Sequence, residues 1–337
     1  MNVIPAYPAP DFKEIKQWSN GMNYSIKDFK GKVILLDFWT YTCIYCLRTI
    51  PLMNEINAKY KDKGLVILPI HSAGYEFAKD SSNIEKAIVT LNLNEYSIGF
   101  DTKNKTWESY GNSYWPKHIF IDKEGFVRYE QDGYGKLKDF EEPLCDLLNI
   151  PYTKEYLNGE KDKEDGIEDN EITKIYGMHF IDMAPEICTG YSRIRRFGNN
   201  QRLKINDYNI LTEPSTLLDN NVYLRGKWRW DKERIKISLD HKEKNPAIIF
   251  RYSKASNVNI IIGSDDNKPA IAEIKIDNEY LNKEQRGSHI KMKNGISCVE
   301  TTWPFIYNVI KTKKMETHKI DIIPRTSNFC FYTFVFG

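Results

Sequence analysis

The sequence is poor in cysteine, has no excess of charge of one sign and contains no long hydrophobic run. Its 337 residues include six cysteines, too few for a scaffold held together by disulfides. Lys and Arg number 48 and Asp and Glu number 46, a formal net charge of +2 that lacks the basic excess typical of nucleic-acid binding. The apolar stretches are strand-sized, well short of the roughly 20 residues of a membrane-spanning helix. We therefore expect no nucleic-acid partner and no membrane span.

The N-terminal segment also lacks the pattern of a secretory signal. MNVIPAYPAPDF has no basic stretch followed by an apolar one. The sequence predicts a cytoplasmic protein, or an extracytoplasmic one if a leader has been removed. No internal repeat is visible.

Hydrophobicity patterns divide the chain into two domains and a charged linker. Residues 1–150 alternate strand and helix patterns, which predicts a mixed α/β domain. Residues 151–173 are rich in charged and small residues, which predicts a solvated linker. Residues 174–337 show short strand patterns separated by turn signals, which predicts an all-β sandwich resembling a jelly roll. The predicted strands are 33–39, 65–72, 118–122, 126–129, 222–230, 246–254, 258–264, 270–277, 318–324 and 329–337, and the predicted helices include 83–91 and 137–148.

Two closely spaced cysteines, Cys43 and Cys46, are the strongest sign of chemistry. They follow a buried strand and begin a helical pattern, in the segment VILLDFWTYTCIYCLRTIP. Because unpaired N–H groups at a helix start favour a thiolate, Cys43 is the predicted nucleophile. Cys46, one turn further along, is placed to attack the resulting mixed disulfide. Asp37, surrounded by apolar strand residues, is expected to have a raised pKa and to accept the proton of Cys46.

This segment resembles the thioredoxin superfamily. The DFW strand, the CxxC motif and Pro51, five residues after the second cysteine, all match that pattern. The resemblance implies a cis-proline facing the motif, and Pro116 is the candidate, shaping the surface on which substrate docks. Trp39, Tyr45 and Trp115 are the candidate substrate contacts, and Tyr45 is also expected to tune the redox potential.

Longer segments resemble the soluble part of DipZ-type proteins within the TlpA-like group. These are FWTYTCIYCLRTIP, IHSAGYEFAKD, GNSYWPKHIFIDKEGFVRYE, APEICTGYSRIRRFG, YLRGKWRW and the terminal YTFVFG. The resemblance implies a thioredoxin-like domain followed by a β domain similar to carbohydrate-binding modules. It also implies an enzyme that exchanges its dithiol or disulfide with protein substrates and needs no metal or organic cofactor. The membrane-embedded electron-transfer domain of DipZ-type proteins is not part of the sequence, so the electron donor or acceptor is unknown.

Three alternatives to disulfide exchange apply to the cysteine pair. A structural zinc site needs further cysteines or histidines at ligand spacing, which the sequence lacks. A copper-binding accessory protein would add His71 to the two cysteines. A peroxidase would use the Thr-x-x-Cys spacing of Thr40 and Cys43, although Leu36 stands where a proline is expected in that pattern.

The role of the second domain is the least determined by sequence. Its tryptophans Trp228, Trp230 and Trp303 are a candidate sugar-binding platform, but tryptophans that alternate along a strand also pack in cores and interfaces. A scaffold role, or pairing with a second copy of the chain as a homodimer, is the alternative. The pairing state is left open for three cysteines, Cys188, Cys298 and Cys330.

Overall fold

The structure, a computed structural model, describes residues 2–152, 170–178, 183–239 and 245–337. It divides into two units, Met1–Ile172 and Thr173–Gly337. Most of the predicted charged linker falls at residues 153–169, outside the described part of the chain. Among the residues that are described, no helix combines the length and the apolar character needed to cross a bilayer.

The first unit is a mixed α/β fold built on one six-stranded sheet. Its strands are β1 (Asn2–Pro8), β2 (Val33–Trp39), β3 (Leu65–Ser72), β4 (Gly99–Asp101), β5 (Lys117–Ile121) and β6 (Phe126–Asp132). Its helices are α1 (Ile44–Tyr60), α2 (Ser81–Thr90), α3 (Lys105–Ser109) and α4 (Leu137–Leu148), with short 3-10 turns at Ile26–Phe29, Lys61–Lys63 and Glu76–Lys79. The bounds predicted for β2, β3 and α4 are confirmed, whereas the strand predicted at 118–122 begins and ends one residue earlier.

Strand β2 lies in the interior of this sheet, whose strand order is β1-β6-β5-β2-β3-β4. It pairs in parallel with β3 on one side and antiparallel with β5 on the other. All seven of its residues are buried, as its continuous apolar run predicts. The connection β2-α1-β3, followed by the antiparallel pair β5-β6 and α4, is the predicted thioredoxin fold. The end of β2 therefore delivers the CxxC motif to the start of α1.

The second unit is β-rich and follows a short helix, α5 (Glu171–Tyr176). Its strands are β7 (Ile187–Cys188), β8 (Tyr208–Leu211), β9 (Asn221–Trp230), β10 (Ile235–Ser238), β11 (Ala247–Ser264), β12 (Ala270–Ile276), β13 (Glu279–Tyr280), β14 (Lys291–Lys293), β15 (Ile296–Thr301), β16 (Phe305–Pro324) and β17 (Phe329–Phe336). The predicted fold class, a thioredoxin fold followed by an all-β sandwich, is confirmed.

Two long strands, β11 and β16, organise the second unit. The first half of β11 pairs with β9 and its second half with β17, while both halves pair with β16. Against β16, the register of β11 shifts on both sides of Ala255, close to where β11 exchanges one partner for the other. The strands predicted separately at 246–254 and 258–264 are thus one strand, because β-bulges let a strand bend without leaving its sheet.

Candidate functional site

The two motif cysteines lie at the start of α1, in different environments. Cys43 caps the helix, and its Sγ accepts a hydrogen bond from the backbone N–H of Cys46 at 3.3 Å. The Cys43 side chain is partly exposed, whereas Cys46 is only 1% exposed. A helix N-terminus and an N–H donor both stabilise negative charge on sulfur. Cys43 is therefore the accessible cysteine of the pair, and its sulfur faces the helix start.

Cys46 is held in its protonated form. Burial raises its pKa well above the ordinary value for cysteine, and its contacts with Cys43 and the charge of Asp37 act in the same direction. The backbone at Thr40 opposes this shift without cancelling it. Cys46 must therefore lose a proton to a nearby base before it attacks a disulfide.

Asp37, on β2, is directly opposite His118, on β5. The residue is 7% exposed, and burial raises the pKa of its carboxyl to about 7, in the predicted direction. Nδ1 of His118 lies 3.3 Å from Oδ1 of Asp37, and within the described chain neither atom makes a hydrogen bond of normal geometry. Burial lowers the pKa of His118 to about 3, so its imidazole is neutral. The Asp37 carboxyl is thus able to gain or lose a proton near neutral pH.

The predicted docking segment adjoins the nucleophile. The Trp115–Pro116 peptide bond is cis, and the thiol of Cys43 contacts the backbone carbonyl of Trp115 at 3.8 Å. The Trp115 ring is partly buried and stacks on Trp107, with ring centroids 4.3 Å apart. Pro116 is buried. The structure brings the segment and the cysteine together, while the docking role stays a prediction.

Arg48 and Tyr134 are two residues of this site that the sequence analysis did not identify. Tyr45 stacks on Tyr134 at 5.7 Å between ring centroids, and the Arg48 guanidinium lies 5.5 Å from the Tyr45 ring. Arg48 is 6% exposed; burial lowers its pKa, and electrostatic interactions with Tyr45, Tyr134 and Cys43 oppose that shift. A basic residue five positions after Cys43 on the helix is the signal that could have indicated it.

Trp39 was predicted to contact substrate, but in the structure it is buried and only 2% exposed. It packs edge-on against His71, which is fully buried and stacks on Tyr41 at 5.2 Å between centroids. Burial lowers the pKa of His71 to about 3, and its Nε2 lies 3.4 Å from the hydroxyl of Thr40. Among the described residues, no three His, Cys, Asp or Glu side chains are grouped so as to hold a metal ion.

The tryptophans of the second unit differ in exposure. Trp228 is fully buried and its indole N–H donates to the backbone carbonyl of Arg225 at 2.9 Å, so it belongs to the core and not to a platform. Trp230 is partly exposed and donates to the carbonyl of Thr189. Trp303 is also partly exposed. The cysteines Cys188, Cys298 and Cys330 are free thiols in the structure.

Comparison with known proteins matches both units to described families. A family described as "AhpC/TSA family" matches residues 5–130, and one described as "Thioredoxin like C-terminal domain" matches residues 184–337. The protein DipZ of Mycobacterium bovis is 30% identical over 283 residues, which are 79% of this chain and 37% of DipZ. The chain thus spans little more than a third of the length of that relative.

Shorter relatives match the first unit. The thiol-disulfide oxidoreductase ResA of Bacillus thuringiensis is 31% identical over 124 residues, covering 37% of this chain and 68% of ResA. A solved thiol:disulfide interchange protein of the thioredoxin family from Chlorobium tepidum is 21% identical, with a TM-score of 0.37, and covers 43% of this chain and 98% of that one. Together with the topology and the CxxC site, the similarity to ResA shows that the chain belongs to the thioredoxin superfamily, and the chain is also similar to DipZ over 79% of its length.

Proposed function

We propose that this protein is a thiol-disulfide oxidoreductase that exchanges the Cys43/Cys46 dithiol or disulfide with protein substrates. The observation that carries the proposal is the asymmetry of the pair: Cys43 is accessible at a helix start, and Cys46 is buried and protonated. That asymmetry assigns attack to one cysteine and resolution to the other. The similarity to DipZ and to the thiol-disulfide oxidoreductase ResA supports the same activity.

The reaction proceeds by two exchanges of sulfur partners. The Cys43 thiolate attacks a substrate disulfide, forming a mixed disulfide and releasing one substrate thiolate. Asp37 takes the proton of Cys46, whose thiolate then attacks Cys43 and displaces the second substrate sulfur. Two electrons pass from the cysteine pair to the substrate, and the same steps in reverse oxidise a substrate dithiol. With a pKa of about 7, the Asp37 carboxyl is present in both protonation states at neutral pH.

The segment at Pro116 supports the docking of an extended polypeptide. Proline has no N–H of its own, which leaves the neighbouring backbone to pair with substrate. The Trp115 carbonyl already lies against the Cys43 thiol, so a chain paired there would pass beside the nucleophile. The partly exposed rings of Tyr45 and Trp115 complete the proposed contact surface.

The remaining parts of the proposal concern cofactors, partners and compartment. The exchange requires no metal or organic cofactor, because the two sulfurs carry the electrons. An electron donor or acceptor that reacts with Cys43 completes the cycle, and a second copy of the chain is the proposed assembly partner. A midpoint potential near −270 mV for the Cys43/Cys46 couple would suit a reductase of the cytoplasm, and one near −120 mV an extracytoplasmic oxidant.

Substitution of each cysteine tests the assignment. We expect Cys43→Ser to abolish reduction of insulin disulfides, and Cys46→Ser to accumulate a mixed disulfide between Cys43 and substrate, because the resolving thiol is gone. Loss of turnover is read from insulin precipitation, and the trapped species from mass spectrometry under non-reducing conditions. Cys145→Ser, a buried cysteine on α4, is the matched control and should behave as wild type. Faster alkylation of Cys46 than of Cys43 would reverse the assignment.

Peroxidase activity is the second candidate, because the AhpC/TSA family match covers residues 5–130 and includes the Thr40 to Cys43 spacing. The Thr40 hydroxyl lies 3.3 Å from that of Thr42 and 3.4 Å from His71 Nε2. Peroxidase activity would be favoured if the reduced protein consumed hydrogen peroxide faster than it reduced insulin and if Cys43→Ser lost this activity.

Copper binding is the remaining alternative for the cysteine pair. It would be favoured if the reduced protein bound Cu(I) and if His71→Ala lost this binding.

A further inference from the structure

The reaction described above uses Asp37 and leaves His118 without a role. The two side chains face each other across β2 and β5, 3.3 Å apart at the nearest ring nitrogen and carboxyl oxygen. His118 is fully buried; its ring nitrogens make no hydrogen bond of normal geometry in the described chain, and the backbone at Gly133 is near enough to raise its pKa against the effect of burial. A buried imidazole without well-formed hydrogen bonds carries a desolvation cost that packing alone does not explain. This cost points to a function for the ring.

An imidazole is suited to the neighbourhood of a carboxyl that changes protonation state. A neutral histidine ring has one N–H donor and one acceptor nitrogen, and which nitrogen holds the proton depends on the tautomer. Beside an ionised carboxylate its N–H donates to the facing oxygen, and when the other carboxyl oxygen is protonated the same N–H still donates to the facing one. A lysine ammonium would bring a positive charge that favours the ionised form alone, and an apolar side chain would offer no hydrogen bond. Both forms of Asp37 therefore have a partner in the same ring.

We propose that His118 is a positioning residue for Asp37: its neutral imidazole hydrogen-bonds the carboxyl in both protonation states and so keeps Asp37 able to exchange a proton with Cys46. The inference rests on the proposed disulfide exchange and adds a second buried group to it. His118 acts through Asp37 and does not touch the reacting sulfurs.

The other groups around Asp37 do not supply this function. Its neighbour on β3 is Pro69, which is apolar at that position. Cys46, on α1, and Tyr96, which follows α2, both interact with the Asp37 charge, and that charge raises the pKa of each. Neither stabilises the carboxylate with an opposite charge. His118 is thus the polar partner available in the sheet itself.

The groups around His118 keep its ring neutral. The Phe140 ring, on α4, packs edge-on against it at 4.8 Å between centroids. Burial is the main cause of its lowered pKa, the charge of Lys117 adds to it, and the backbone of Gly133 opposes it. Its neighbour on β6 is Gln131, which is uncharged. A neutral ring leaves the proton on the Asp37 carboxyl or on Cys46 and does not hold it itself.

The proton and electron balance of the resolving step follows from this arrangement. The S–H bond of Cys46 breaks and its proton binds the Asp37 carboxylate, which until then accepts a hydrogen bond from His118. A bond forms between the two cysteine sulfurs, and the bond between Cys43 and substrate breaks. The substrate sulfur leaves with the electron pair and takes up a proton, either from Asp37 or from water. The protein dithiol is oxidised and the substrate disulfide is reduced.

Three variants of His118 in the full chain test the proposal. His118→Phe keeps a ring and removes both nitrogens. Because a hydrogen bond to the ionised carboxylate is stronger than one to the neutral acid, the pKa of Asp37 should then rise by about one unit or more. His118→Asn places an amide near the position of Nδ1 and should hold the pKa close to that of wild type. His118→Gln places its amide near the position of Nε2 and should behave like the Phe variant. The readout is the carboxyl carbon signal of Asp37 in the NMR spectrum of the reduced protein, titrated from pH 4 to 9.

The kinetic expectation follows from the titration. In His118→Phe the rate of resolution of a preformed mixed disulfide should reach its half-maximum at higher pH, in step with the Asp37 titration. Alkylation of Cys43, which precedes resolution, should keep its wild-type rate. If His118→Phe fails to fold, the difference between the Asn and Gln variants decides the question.

An unmoved Asp37 titration in His118→Phe, or equal shifts in the Asn and Gln variants, would reduce His118 to a packing residue. This outcome is distinguishable from failure of the proposed function. Absence of Cys43-dependent exchange in the wild type would refute the oxidoreductase, whereas the carboxyl titration reports on His118 whether or not exchange occurs.

Discussion

At the residue scale, the chemistry proposed for this protein depends on buried polar groups, above all Asp37, His118 and Cys46. Asp37 could be predicted as a residue with a raised pKa, because a carboxyl inside a run of apolar strand residues must be desolvated. Its partner could not be predicted the same way. His118 meets Asp37 only through the register of β2 against β5, which no local pattern encodes. Arg48 was missed for a similar reason, since its burial depends on the packing of α1.

The raised pKa of Asp37 predicts a pH-dependent effect on stability. The carboxyl titrates near 7 in the folded chain and near 3.8 in the unfolded one, so the folded state binds more protons between these values. The free energy of unfolding therefore falls as pH rises from about 4 to about 7. Asparagine cannot ionise, so the Asp37→Asn variant should not lose this stability. We expect the free energy of unfolding of the variant, measured relative to wild type, to be higher at pH 8 than at pH 4 by up to about 4 kcal/mol.

Urea unfolding of the reduced proteins at pH 4, 6 and 8 measures this difference. Because His118 lies against Asp37, the same pair of proteins is also compared in a His118→Phe background, where no titration of His118 contributes to the difference. The same variant should resolve a mixed disulfide at least about 100-fold more slowly at pH 7, since it lacks the base. A stability difference that stays constant with pH would mean that Asp37 is ionised in the folded chain.

At the scale of elements, the start of α1 concentrates the features that favour a thiolate. The helix presents its free N–H groups to Cys43, and Arg48, in the second turn, brings a positive charge that interacts with Cys43. We expect Arg48→Met to slow alkylation of Cys43 at pH 7 by about three- to tenfold, because the positive charge that interacts with the attacking sulfur is lost. Arg48→Lys keeps the positive charge and should slow the alkylation of Cys43 less than Arg48→Met does. Iodoacetamide labelling followed by peptide mass spectrometry separates Cys43 from the other cysteines.

Equal alkylation rates in wild type and Arg48→Met would assign Arg48 to packing beneath Tyr45 instead. The thermal midpoint of each variant is the control, since a loosened helix would expose both cysteines. Faster labelling of Cys46 in Arg48→Met would identify such a loosening.

Predictability from sequence also differs among the elements. Strands β2 and β3 and helix α4 were predicted with their observed bounds, because the strands carry nearly continuous apolar runs and the helix carries an amphipathic pattern over its whole length. Strands β10 and β14 have only four and three residues, which are too few to show the alternation of apolar and polar residues that identifies a strand. The joining of two predicted strands into β11 depends on bulges and on its exchange of partners, which are properties of the sheet and not of the segment.

At the scale of the whole molecule, the exchange chemistry and the proposed assembly belong to different units. Cys43, Cys46, Asp37 and Pro116 all lie in the first unit. The second unit ends its sheet at β8, which pairs with β9 and has no further strand beside it among the described residues; the Gln201 side-chain amide donates to the carbonyl of Ile210, on β8, at 3.3 Å. An exposed apolar edge is a template for pairing with another chain. The proposed homodimer therefore has a specific candidate interface.

The edge strand β8 predicts how the homodimer should respond to substitution. Ile210 on this strand is 62% exposed, and Tyr208 is 38% exposed. We expect the full chain to dimerise in a concentration-dependent way, and Ile210→Lys to weaken the dimer at least tenfold, because a charge replaces apolar surface at the paired edge. Val89→Lys, at a 64% exposed position on α2, is the matched control and should leave the dimer intact. Sedimentation equilibrium at several concentrations measures both effects, with reduction of a small disulfide expected to be equal in all three proteins. A wild-type chain that stays monomeric at the highest concentration, or equal weakening by the two lysine variants, would remove β8 as the interface.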